Sequence, residues 1–151
     1  MVCYQEYLKK PQVEVKLPAE QKIKTDLKSL LEHEAMALLD QHGIATPNYR
    51  HVKSEAEAVK AAEEVGYPLV MKIVSPDILH KSDVGGVKLN IKNKEEAAAA
   101  WRDLEKIGQG KDFRGAILYP MLDKGRGVIF GFTRDSQFGP VIAFGLGGIY
   151  T

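Results

Sequence analysis

The 151-residue chain has one cysteine, Cys3, and almost no net charge, formally +1 from 21 Lys and Arg against 20 Asp and Glu. One cysteine can neither close an internal disulfide nor build a zinc site, and it suits a reducing, cytoplasmic setting. The near-zero charge balance gives no general electrostatic case for nucleic acid or an anionic membrane, so any anion site must be local. No apolar run is long enough to span a bilayer, and the polar start MVCYQEYLKK lacks a signal-peptide hydrophobic region. His33, His42 and His51 show no metal-ligand spacing such as H-E-x-x-H and read as surface or helix-end residues. The Walker pattern G-x-x-x-x-G-K-[ST] is missing, and no Ser-His-Asp constellation can be assigned. With 44% hydrophobic residues, the chain can still bury one sizeable core.

The richest stretch is Leu69 to Ile91, LVMKIVSPDILHKSDVGGVKLNI. Leu69 to Val74 is short, apolar and rich in β-branched residues, the composition of a buried strand. Period-2 alternation puts Lys72 on a face with Val70 and Val74, so its stem beds in apolar surface and its ammonium must find an anion or water. Val87 to Lys92 alternates apolar and polar, as a strand with one face on a core does. The loop between them is too long for a tight hairpin turn, and such loops in compact domains are usually functional or disordered. Its glycine pair lets successive N–H groups aim at one point, so Lys72, Lys81, Ser82 and the Gly85-Gly86 amides are candidates to surround a polyphosphate. His80 is the loop residue able both to receive and to give up a phosphoryl group. Each has a plainer reading as well: a snorkelling structural lysine, a glycine turn or bulge, a solvated histidine.

The remaining segments supply a framework. Residues 1–24 read as an extended arm. Leu27, Leu30, Leu31, Ala35, Leu38 and Leu39 make one helical stripe, with Thr25 or Asp26 as cap and Gly43 as stop. Ile44 to Val52, containing Pro47, resembles a short edge strand. Ser54-Glu55-Ala56-Glu57 is a capping box opening a helix with Val59, Ala62 and Val65 on its face, and Asn93-Lys94-Glu95-Glu96 has the same spacing. That second helix carries Ala97, Ala100, Trp101 and Leu104; at this spacing Trp101 reads as core rather than as an adenine platform. Ala116 to Tyr119 is a further strand, and Gly127 to Thr133 with Pro140 to Gly145 read as an antiparallel pair. Alternating helices and strands followed by strands alone point to an α+β sheet covered by helices.

The order of segments then becomes recognisable. EHEAMALLDQHGIATP (Glu32 to Pro47) and SEAEAVKAAEEVGYPLVMK (Ser54 to Lys72) resemble the opening of the ATP-grasp nucleotide-binding fold. SPDILHKSDVGGV (Ser75 to Val87) and TRDSQFGPVIAFGLGGIY (Thr133 to Tyr150) are more specific, and resemble the β subunit or β-type domain of ADP-forming acyl-CoA synthetases, such as ADP-forming acetate–CoA ligase. The resemblance implies an ATP-grasp first lobe over residues 25–122 and the start of a second lobe over 123–151. It further implies ATP or ADP as bound nucleotide, Mg²⁺ held by residues beyond this chain, and a CoA-binding α subunit as partner. In the implied reaction, acyl-CoA, ADP and phosphate give carboxylic acid, CoA and ATP, the phosphoryl group passing through a histidine in the position of His80. Lys72 matches the nucleotide-binding lysine. Ser75, Lys81, Ser82, Val84, Gly85 and Gly86 match the loop over the phosphates, and Tyr119, Pro120 and Met121 match the interlobe hinge beside the adenine.

Two positions depart from the family pattern: Gly127 stands where relatives usually carry glutamate, and Tyr119 where glutamine is usual. Gly127 and the early end at Thr151 motivate a second reading as a truncated or degenerate lobe that binds nucleotide or a partner without turnover. A third is a succinate–CoA ligase-type β subunit.

Overall fold

The computed structural model describes residues 30–122 and 125–147. The expected arm over residues 1–24 and the caps Thr25 and Asp26 lie outside these residues. Helix α1 spans Glu32–Gln41, starting later than the apolar stripe suggested, because Leu30 and Leu31 are not helical. Leu31 is extended, and its N–H donates to Glu34 Oε2 at 2.8 Å, which ties off the helix start. None of the α1 residues is buried. After α1, Asp40 accepts from the Thr46 backbone N–H at 3.1 Å and the Thr46 hydroxyl at 2.8 Å, which folds the following segment into a loop. The edge strand β1 is thereby limited to Arg50–Val52, shorter than the expected Ile44 to Val52.

Helix α2 covers Glu55–Val65 and helix α3 covers Lys94–Gly108. The caps follow the sequence reading in part. Ser54 Oγ accepts from Glu57 N at 3.2 Å, and Asn93 Oδ1 from Glu96 N at 2.8 Å. The returning carboxylates of Glu57 and Glu96 take the N–H of Lys53 and Lys92 instead of that of the cap residue. Each still satisfies an amide near the helix start and places negative charge at its positive end.

The strands β2 (Leu69–Ile73), β3 (Val87–Ile91) and β4 (Ala116–Pro120) join β1 in a four-stranded antiparallel sheet of order β1-β4-β2-β3. Leu69, Met71 and Ile73 of β2 and Ala116 and Leu118 of β4 point into one core with Ala58, Ala61, Ala62, Ala97, Ala100, Trp101 and Leu104 of the two helices. Alanines at the helix contacts allow close approach, and Trp101 fills the centre edge-on to Phe113, ring centroids 5.7 Å apart. Trp101 is 1% exposed, as the core reading expected. Leu89 is 62% exposed although the alternation assigned it to the core. The cause is local: Asn90 sits at φ 58°, and the β2–β3 register shifts between Leu69 and Met71.

A separate hairpin pairs β5 (Val128–Asp135) with β6 (Gly139–Leu146), in register from Val128 opposite Leu146 to Asp135 opposite Gly139. Its turn explains the R-D-S-Q-F-G block. Asp135 Oδ1 accepts from Gln137 N at 2.8 Å and Phe138 N at 2.9 Å, and Gly139 takes φ 74°. Those two amides hold the Asp135 carboxyl below its usual range. One face of the hairpin carries Val128, Phe130, Phe132, Ile142, Phe144 and Leu146, all exposed among the described residues.

Candidate phosphate site

The sheet face opposite the helices carries Lys72 on β2 and Tyr119 on β4. Val70 is paired with Tyr119, so Lys72, two residues along the same face, lies diagonally across from the ring. Its Nζ is 5.2 Å from the Tyr119 ring centroid. Val70, Val74 and Ile117 beside the stem are buried. The alternation argument therefore holds, and the anion it demanded is a carboxylate of the chain itself. Glu32, the first residue of α1, reaches Lys72 Nζ with Oε1 at 2.8 Å and Lys81 Nζ with Oε2 at 2.6 Å.

This triad is partly sheltered, which decides its electrostatics. Burial pushes the Glu32 carboxyl up, but the hydrogen bonds and charges of Lys72 and Lys81 outweigh it, leaving the group below its usual value. For Lys72, burial pulls the ammonium down, yet Glu32 and Tyr119 together raise it above its usual value. Glu32 and Lys72 are each shifted toward the ionised form.

The loop after β2 is anchored at its base and free at its tip. Ser75 is buried, its Oγ accepting from Asp77 N at 3.2 Å, and Ile78 plugs into the core. Asp77 Oδ2 takes the Asp112 N–H at 2.7 Å, tying the loop to the segment before β4. At the other end Gly86 N donates to Lys81 O at 2.7 Å and Gly86 O accepts from Ile73 N at 2.9 Å, closing the loop onto β2. A Cβ on Gly86 would stand 2.7 Å from Ile73 Cγ2 and 2.9 Å from Lys81 O, so no larger residue fits without a shift. Between the anchors, Leu79, His80, Ser82, Asp83 and Val84 are exposed.

Lys72, Leu79, His80, Lys81, Ser82, Asp83 and Val87 line a cavity of about 590 Å³. Four of the residues singled out from sequence thus meet around one space: Lys72, His80, Lys81 and Ser82. Others do not. Ser75 lines a neighbouring cavity of about 160 Å³ with Glu32 and Lys81, its hydroxyl committed to Asp77. Val84 lies outside the lining, 44% exposed. The Gly85 and Gly86 amides donate to Ser82 O and Lys81 O, so here the glycine pair shapes the loop in place of presenting free donors. Pro120 ends β4, and Met121 N continues the strand pairing to Pro68 O at 2.9 Å. Sequence reasoning misses Glu32, although an inward lysine requires an anion and the segment EHEAMALLDQHGIATP begins at that residue.

The histidines outside the loop differ from the surface reading at one position. His33 stacks on His51, centroids 4.1 Å apart and 21° from coplanar, and its Nδ1 is buried with no partner among the described residues. Burial first, then the charge of His51, holds His33 below its usual value. His42 Nδ1 lies 3.0 Å from Leu38 O at the exposed helix end. Among the described residues no group of three or more His, Cys, Asp or Glu side chains is placed to hold a metal ion. No helix among them is long and apolar enough to cross a membrane.

An antiparallel sheet with helices on one face, and a lysine strand followed by an anchored loop on the other, define an ATP-grasp domain. Residues 21–151 match the ATP-grasp domain family, and the chain belongs to it. Its relatives are ligases. It is 50% identical over 134 residues to the ADP-forming acetate–CoA ligase I subunit beta of Pyrococcus furiosus, covering 86% of this chain and 58% of that one. It superposes with TM-score 0.75 and 44% identity on the acetyl-coenzyme A synthetase 1 of Ca. Korarchaeum cryptofilum in complex with coenzyme A and Ca-AMPCP, over 80% of this chain and 54% of that one. A second structure of that synthetase holds coenzyme A and Mg-AMPPCP, with its phosphohistidine segment pointing towards the nucleotide binding site; TM-score is 0.66 and identity 42%, over 82% and 52% of the two chains. The chain therefore spans about half the length of these relatives.

Proposed function

We propose that this chain is the nucleotide-binding part of an ADP-forming acyl-CoA synthetase, cytoplasmic and working with a CoA-binding α subunit, and that His80 relays a phosphoryl group to ADP. The observation that carries the reading is the loop: an exposed imidazole at the tip of a segment anchored at both ends, beside two lysines around one cavity. Phosphoryl transfer needs positioning and charge neutralisation more than covalent machinery, and these residues supply both. The relative with a phosphohistidine segment aimed at its nucleotide site supports the same role for residues 75–87.

An oxygen of the ADP β-phosphate attacks the phosphorus on the His80 imidazole, the P–N bond breaks, its electron pair stays on nitrogen, and ATP departs. Lys72 and Lys81 hold the phosphate oxygens in line and offset their charge. Mg²⁺, when bound, adds further charge neutralisation. Tyr119, Pro120 and Met121 at the end of β4 would face the adenine, and Ser75, Val84, Gly85 and Gly86 would shape the loop over the phosphates. The β5–β6 hairpin is read as the opening of the second lobe, supported by its exposed apolar face.

The test is direct. Incubation with γ-labelled ATP and Mg²⁺ is expected to leave an acid-labile, base-stable label on the protein that His80→Ala abolishes while its melting temperature stays that of the parent. Nucleotide binding without label, under conditions that label an intact relative, would replace the relay with a binding role alone.

A further inference from the structure

We propose that Glu32 is an intramolecular stand-in for phosphate: its carboxylate occupies the Lys72–Lys81 pair in the empty site, and an incoming phosphoryl group must displace it. The inference deepens the phosphoryl-transfer reading and rests on it. Its starting point is shape. The two carboxylate oxygens of Glu32 are divided between two ammonium groups, at 2.8 Å and 2.6 Å, as two oxygens of a phosphate would be.

Position separates this contact from an ordinary structural ion pair. Both lysines line the 590 Å³ cavity with His80 and Ser82, whereas Glu32 lines the adjoining 160 Å³ cavity, which shares Lys81 with it. A phosphate entering from the His80 side would meet the same two ammoniums with a carboxylate already bound. Two anions that close in a partly dehydrated site repel strongly, so occupancy by one weakens the other. Exchange, not addition, is the low-energy course.

The helix that carries Glu32 is built to yield. None of its residues is buried, and among the described residues it is tied toward β1, beyond the Glu32 contacts, by the His33–His51 stack and by the Tyr49 hydroxyl donating to His33 O at 3.2 Å. Withdrawal of Glu32 therefore uncovers no fully buried residue of the helix and leaves the sheet pairing that positions Lys72 intact. In this role Glu32 is a positioning residue: it parks both lysines in a phosphate-ready arrangement and sets the threshold that a ligand must exceed.

Calorimetric titration of the full chain with ADP, inorganic pyrophosphate and adenosine tests the exchange, using the parent, Glu32→Gln, Glu32→Asp and Lys72→Ala. Glu32→Gln is expected to bind ADP and pyrophosphate roughly tenfold more tightly or better, from removal of one nearby negative charge, with adenosine affinity unchanged. Glu32→Asp keeps the charge on a side chain too short to span both lysines and is expected to fall between the parent and Glu32→Gln; if the glutamine variant fails to fold, tighter ADP binding by Glu32→Asp than by the parent is the expected result and equal or weaker binding overturns the exchange. ADP affinity that is equal or lower in Glu32→Gln, with Lys72→Ala weakened, would overturn the exchange alone. ADP affinity unaffected by Lys72→Ala would overturn the phosphate site itself.

Discussion

Replacing Glu32 by glutamine leaves two half-sheltered ammonium groups facing a neutral amide. In the parent protein each lysine makes one charge-assisted hydrogen bond to Glu32, with side-chain exposures of 21–25%. Such bonds contribute about 1.5–3 kcal/mol each when well sheltered. Solvent screening lowers that figure, and the glutamine retains one oxygen to accept from one lysine. The expected net loss at pH 7 is about 2 kcal/mol, from these two bonds less the screening. At this chain length that lowers the melting temperature by roughly 4–8 °C.

The pH dependence makes the argument specific. Glu32 is held below its ordinary 4.5, so its contribution is complete above that value and is lost as pH falls through the depressed value in the folded protein. Lys72 is held above its ordinary 10.5, so its contribution is complete below that value and is lost only as pH rises through the elevated one. Urea melts of the parent and of Glu32→Gln should therefore differ by a constant amount between about pH 5 and 10, bounds set by those two shifts, and converge on either side. A gap of the same size at pH 3 as at pH 7, or no gap at pH 7, would refute the clamp.

Two further outcomes follow from the core and the loop. Trp101→Ala removes the largest fully buried side chain among the described residues, 1% exposed and packed on Phe113, and should cost about 3–5 kcal/mol in urea denaturation. Gly86→Ala places a methyl group 2.7 Å from Ile73 Cγ2 and should cost about 1–3 kcal/mol; melting indistinguishable from the parent would show that the loop base is looser than its hydrogen bonds indicate.

The parts of the fold legible in the sequence were those fixed by neighbours in the chain. Ser54 and Asn93 cap α2 and α3, alanine and Trp101 spacing reports their buried faces, and the β-branched run reports β2. The failures have physical causes. The expected apolar stripe includes Leu30 and Leu31, which lie outside the helix, and Leu31 and Glu34 set the start through a bond that periodicity does not register. Glu32 was overlooked because an acid in a first helical turn is already explained by the helix dipole, while its lysine partners lie 40 and 49 residues away. The glycine pair was read for donors it could offer; the chain uses Gly86 for a close approach and Gly85, at φ 72°, for a bend. A glycine motif states that the backbone must pass closely, not what it passes.

The site thus divides into a fixed half and a yielding half, and the division has a reason. Lys72 sits on an inner strand, paired on both sides, with its stem among buried residues, so its ammonium returns to one place whatever occupies the cavity. His80 sits on an exposed loop tip and Glu32 on a helix with no buried residue. In the proposed relay a group that carries phosphate leaves and returns, and a carboxylate that substitutes for phosphate gives way each time. Local opening costs least where few apolar contacts are broken. Under that proposal, sheltering either residue further would strengthen the resting structure and slow the transfer.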